Sequence, residues 1–170
     1  MINYSTLLLT FNMSSQLENF LGTGELLIML SPPCKIKYSV YTGPNTDGDI
    51  SWMLKQDKYK NSLFLFCVND EHNSSQLTPD SKDPARYHGI ATGNLKSFKG
   101  YTKLDEITKK KIDVNIESLK TLISLQSKKY DEIILPWDSL NRTLRATVYN
   151  PVKEVKDYIV DEIRKVVCHC

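Results

Sequence analysis

A chain of 170 residues, 41% of them hydrophobic, is long enough for one domain with a substantial core. Its 22 basic and 20 acidic residues leave a net charge of +2, too small to signal a nucleic-acid partner. Eighteen of the basic residues are lysines and only four are arginines, a bias against bidentate readout of phosphates or bases.

The first 34 residues hold no Lys or Arg and only two acids, Glu18 and Glu25. A secretory signal needs a positively charged start, which this stretch lacks. Its apolar runs, Leu7–Phe11 and Leu26–Leu30, are too short to span a bilayer. The triplets beginning at Asn12, Asn73 and Asn141 match the glycosylation acceptor; without a secretory signal they read as chance matches. Ser31-Pro32-Pro33 breaks the chain. Residues 1–34 are therefore expected to be an appendage, such as an added strand or hairpin. A single domain is expected over 35–170.

Within that domain strands and helices alternate. Ile36–Thr42 alternates apolar and polar residues and predicts a strand. Gly43 and Gly48 follow with the Gly-x-x-x-x-Gly spacing of a phosphate loop, but Asp49 stands where that loop needs a lysine. An ATPase or kinase is disfavoured on that ground. Two readings stay open. Asp49 caps a helix over 49–58, marked by Ile50, Met53 and Leu54 on one face. Alternatively, its carboxylate also accepts a hydrogen bond from a base amino group. Asp49→Asn should keep the cap and lose the second role.

Ser62–Val68 is an unbroken apolar run, as in a strand buried on both faces. Asn69–Ala85 is polar, carries Pro79 and Pro84, and reads as a loop. Tyr87–Thr92 predicts a short strand that ends at Gly93. The clearest helix runs from 105 to 129, with Ile112, Ile116, Leu119 and Ile123 at helical spacing. Glu132–Leu135 is the next buried strand, stopped by Pro136, and Thr143–Tyr149 a short alternating one. Asn150-Pro151 has the form of an N-cap followed by proline at the first helical position. The helix behind it carries Val152, Val155, Ile159, Ile163 and Val166.

This alternation predicts an α/β fold, a three-layer sandwich around a central mixed sheet. In such folds ligands sit outside the carboxyl ends of the strands. The candidate binding residues are therefore Gly43, Asn45, Gly48, Asp49, Asn69, Asp70, Thr92, Gly93, Asn94, Trp137 and Asp138. Asp138 is the one candidate catalytic base; a turn-closing role is the plainer reading. His72 and His88 have no assignable nucleophile partner. Asp47, Asp49, Asp70 and Asp138 could form a metal-binding carboxylate cluster, but their spacing does not require one, and no metal or cofactor is assigned. Lys109-Lys110-Lys111 reads as a solvated face.

The cysteines at 34, 67, 168 and 170 form no CxxC pair. Cys67 reads as a buried hydrophobe, Cys168-His169-Cys170 as a frayed end, and the set as free thiols of a reducing, cytoplasmic setting. The lysine bias fits an A/T-rich coding genome, as in a large DNA virus or a parasite.

The order of elements over residues 35–167 resembles the ADP-ribose-binding macro domains, especially their shorter deacylase-like branch. Gly48-Asp49-Ile50-Ser51 has the form of the family's Gly-Asp-Ile-Thr motif, whose Asp holds the adenine. LPWDSLNRTL, starting at Leu135, stands where the family's second phosphate loop lies. The Asn-Ala-Asn segment is absent, and no glycine occurs after Gly100. The resemblance implies a macro-domain-like module for ADP-ribose or a related nucleotide, with ADP-ribosyl hydrolase activity as an extension. The alternative is a non-catalytic interaction protein on a degenerate α/β scaffold. No membrane partner is expected, and no protein partner is assigned.

Overall fold

The computed structural model describes residues 35–71, 86–125 and 130–168. The expected appendage at 1–34, most of the loop before Tyr87, and His169 and Cys170 lie outside the described residues.

In chain order the elements are β1 (Lys35–Val40), α1 (Ile50–Met53), a 3-10 turn (Asp57–Tyr59), β2 (Ser62–Asn69), β3 (Tyr87–Asn94), β4 (Lys99–Gly100), α2 (Glu106–Leu125), β5 (Glu132–Asp138), β6 (Thr143–Leu144) and α3 (Lys153–Cys168). The sheet order is β1-β5-β2-β3-β4, with β6 added to β5. β1, β5, β2 and β3 run parallel, while β4 and β6 pair antiparallel with β3 and β5. The fold is thus α/β with a mixed sheet.

β2 and β5 occupy the interior of the sheet, where both faces are covered. That is the environment their unbroken apolar runs require. Because side chains alternate along a strand, each run feeds two cores. Leu63, Leu65, Ile133 and Leu135 pack with Ile112, Ile116 and Leu119 of α2 and with Val155, Ile159 and Ile163 of α3. Phe64 and Ile134 point the other way and pack with Met53 and Tyr59.

Four expectations are corrected. The helix expected over 49–58 is one turn long, because Gln56 is extended (φ −94°, ψ 132°) and the chain restarts as a 3-10 turn. That break lets both Met53 and Tyr59 reach the Phe64 core. The helix expected from Asn150-Pro151 begins later, at Lys153: its first bonds run from the Val155 and Lys156 N–H groups to the Val152 carbonyl, at 3.1 and 3.2 Å. Asn150 is not its cap. Its carbonyl lies against Gly100, where an added Cβ would come within 2.1 Å of it.

β5 does not stop at Pro136 but continues to Asp138, and β6 ends at Leu144 rather than reaching Tyr149. Both differences have one cause. The β2–β5 ladder ends at Phe64 and Ile134, so the missing Pro136 N–H faces no β2 carbonyl. β6 enters that gap. Its ladder then meets Pro136, whose carbonyl accepts the Arg145 N–H at 3.0 Å but which has no N–H to return. The Cys67 thiol serves the Arg145 carbonyl instead, at 3.6 Å.

Candidate functional site

The chain leaves β1 at Val40 and doubles back over the strand end. Gly48 makes this possible: its φ is +102°, and a Cβ there would lie 2.1 Å from the Val40 carbonyl oxygen. The loop is closed by its own groups. Thr46 Oγ1 donates to the Gly43 carbonyl at 2.7 Å, and the Asp49 N–H donates to the Thr46 carbonyl at 3.0 Å. Asn45 sits in the left-handed region, at φ 59°, and this turns its N–H toward Asp49 Oδ2, 2.9 Å away. The other oxygen, Oδ1, caps α1 by accepting the Trp52 N–H at 3.3 Å.

Asp49 therefore takes backbone N–H groups of the kind that a phosphate loop offers its ligand. A carboxylate has about four acceptor positions in all, so acceptor capacity remains beyond these two bonds. Asn at 49 can accept through only one atom. Asp49→Asn can therefore keep the Trp52 cap but not both of these bonds.

Beside this loop opens a cleft of about 240 Å³, at the carboxyl ends of β1, β2 and β5. Tyr41, Gly48, Asp49, Ser51, Cys67 and Arg145 are among the residues that line it. The Arg145 guanidinium lies over the Tyr41 ring, 4.5 Å from its centroid. Asp49 and Arg145 share the cleft without forming an ion pair. Burial pushes the Cys67 thiol up to about 12, with Lys156 and Thr92 pulling the other way. Cys67 is thus a neutral hydrogen-bond donor rather than a nucleophile.

Of the residues predicted from sequence, only Gly48 and Asp49 line this cleft. Gly43 and Asn45 shape the loop behind them. Asn69, Asp70, Thr92, Gly93 and Asn94 gather at the ends of β2 and β3, where the polar groups of this region bond to one another and to their neighbours. Asp70 accepts the Leu95 N–H at 3.2 Å and Asn94 Nδ2 at 3.1 Å, and pairs with Lys111. Burial pushes its carboxyl up, but the Lys111 ammonium and the Leu95 N–H outweigh this and hold it below the ordinary value. Asn69 Oδ1 accepts the Glu71 N–H, and its amide reaches Tyr149 Oη at 3.4 Å. The Thr92 hydroxyl donates to the Val68 carbonyl at 3.4 Å. A Cβ at Gly93 would come within 2.4 Å of the Lys99 carbonyl oxygen.

Trp137 packs on Tyr38 with ring centroids 4.5 Å apart. Asp138 closes its own turn: it accepts the Leu140 and Asn141 N–H groups at 3.0 and 3.1 Å and Asn141 Nδ2 at 2.8 Å. The Asn141 side-chain bond leads in holding its carboxyl below the ordinary value, and this weakens it as a general base. Among the described residues no three His, Cys, Asp or Glu side chains are placed to hold a metal ion. Lys109 and Lys111 have carboxylate partners in Glu106 and Asp70. Among the described residues no helix is long and apolar enough to cross a membrane.

Sequence reading missed Tyr41, Ser51, Cys67 and Arg145. Arg145 left one trace, as one of only four arginines, placed just after a post-strand loop. No family model matches the chain, and neither a curated protein nor a solved structure matches it.

Proposed function

We propose that the chain is a macro-domain-like binding module for ADP-ribose or a related nucleotide, with the cleft beside Gly48-Asp49-Ile50-Ser51 as its site. One observation carries this reading. A carboxylate with spare acceptor capacity and an Arg–Tyr pair face the same cleft at the carboxyl edge of the sheet. A nucleotide presents the complementary groups, an amino donor on the base and anionic oxygens on the phosphate. At about 240 Å³ the cleft is smaller than the ~300–1,000 Å³ of most ligand pockets. It suits one end of a dinucleotide-sized ligand, with the remainder along the open rim.

The three-layer, macro-like form belongs to the same proposal. Its support is the placement of α2 and α3 on one face of the sheet and of α1 with the 3-10 turn on the other. A reducing, cytoplasmic setting is supported by the free thiols of Cys67 and Cys168. ADP-ribosyl hydrolysis remains the extension of this reading. A second reading, an interaction protein without a small ligand, is favoured by the engagement of both Asp49 oxygens within the loop.

Thermal shift and titration calorimetry with ADP-ribose, NAD, ATP and AMP test the choice. Ligand binding to the folded state raises the melting temperature. Ser51 is exposed at the rim, so Ser51→Trp should fill the cleft and abolish binding without unfolding the domain. If none of the four ligands binds the wild type, the interaction-protein reading replaces this one.

A further inference from the structure

We propose that a single side chain, Arg145, is the phosphate-binding group of the cleft, and that the ligand class is therefore a phosphate or diphosphate ester. The inference rests on the nucleotide reading above and adds the group that recognises the anion.

Phosphate sites in α/β folds commonly use converging backbone N–H groups. Here the loop has committed much of that capacity. The Asn45 and Trp52 N–H groups go to Asp49, the Asp49 N–H goes to Thr46, and the Gly48 N–H goes to Met53 Sδ at 3.1 Å. No glycine follows Gly100 to supply a second loop of that kind. An anion entering the cleft needs a different donor.

Arg145 meets that need. Its main chain does the structural work, through the N–H to Pro136 and the carbonyl to Cys67. Its side chain has no carboxylate partner among the described residues and contacts the Tyr41 ring face. A guanidinium held over an aromatic ring keeps its N–H donors at the edge, arranged as a fork that matches two phosphate oxygens. The ring also restricts the side chain before a ligand arrives, which lowers the entropic cost of binding. The residue is half-buried, so its charge is less screened than that of a surface lysine.

The test compares ADP-ribose, AMP, adenosine and inorganic pyrophosphate on wild type, Arg145→Gln, Arg145→Lys and Arg142→Gln by titration calorimetry. Arg142 is exposed, does not line the cleft, and controls for the loss of one charge. Wild type should bind AMP more tightly than adenosine. Arg145→Gln should weaken AMP and ADP-ribose by about 10- to 100-fold, the scale of a charge-assisted hydrogen bond, and leave adenosine within about twofold. Arg145→Lys should recover only part of the loss, because lysine lacks the fork.

If nucleotides bind wild type and are lost in Ser51→Trp but unchanged in Arg145→Gln, the nucleotide reading stands and this inference is overturned. Equal losses in Arg142→Gln and Arg145→Gln overturn it as well, since only diffuse charge would then be at work. If nucleotides fail but pyrophosphate binds wild type and is lost in Arg145→Gln, the anion site stands without the nucleotide reading. Binding of none of the four ligands to wild type overturns both.

Discussion

The Cys67 thiol donates to the Arg145 carbonyl at 3.6 Å, in the place where a strand neighbour would supply an N–H and Pro136 has none. A side chain of β2 thereby helps to pin the residue whose guanidinium faces the cleft. The same contact ties the thiol into a neutral role, because a thiolate could not donate.

Alkylation measures this directly. With its thiol pushed up to about 12, Cys67 holds little thiolate at pH 8. Cys168 is exposed. Peptide mapping after iodoacetamide treatment of the native protein should show Cys67 modified on the order of 100- to 1,000-fold more slowly than Cys168. Comparable rates would mean that the thiol is not held as described.

Gly48 and Gly43 both have positive φ, yet they should respond differently to alanine. At Gly48 the new Cβ meets the Val40 carbonyl at 2.1 Å; at Gly43 nothing lies within 4 Å. Gly48→Ala should cost about 3 kcal/mol or more, and Gly43→Ala about 1 kcal/mol from backbone strain alone. Urea melts of the two variants give the comparison, and equal losses would show that β1 does not lie beneath the loop.

His88 should make the fold sensitive to mild acid. Its ring is buried, and Nε2–H donates to the Asn115 carbonyl at 2.8 Å when the ring is neutral. Burial lowers its pKa from the ordinary 6.5, and the Asn115 bond opposes this only partly. Below pH 6.5 the unfolded chain thus binds the proton more readily than the folded one. Stability is full above 6.5 and is lost as pH falls toward the depressed folded value. Melting temperatures between pH 7.5 and about 5 should fall for wild type and change less for His88→Gln. Parallel pH profiles would refute the assignment.

The start of α3 offers a paired test. Asn150 does not cap the helix, so Asn150→Ala should change stability by about 0.5 kcal/mol or less. Ile159 is fully buried against the sheet, and Ile159→Ala should cost roughly 2–5 kcal/mol. A loss of about 1 kcal/mol at Asn150 in denaturant melts would restore it as a cap.

Local pattern was sufficient for much of this protein. The runs at Ser62–Val68 and Glu132–Leu135 had to be interior strands, because they leave no polar face for water. The stripe from Ile112 to Ile123 had to be a buried helix face. The capping bond of Asp49 spans three residues and could be read directly from the chain.

What tertiary structure decided lies where a neighbour distant in sequence sets the outcome. Whether Pro136 ends β5 depends on whether β2 still needs its N–H, and β2 has already diverged. Where the helix after Asn150 begins depends on the segment at Gly100 and Tyr101, which packs against the Asn150 carbonyl and accepts the Val152 N–H at 3.0 Å. The candidate cleft follows the same logic. Its lining brings together Asp49 and Arg145, nearly a hundred residues apart, through a hairpin that forms where the β2–β5 ladder ends. No short window of sequence contains both residues, and only the folded sheet brings them to one cleft.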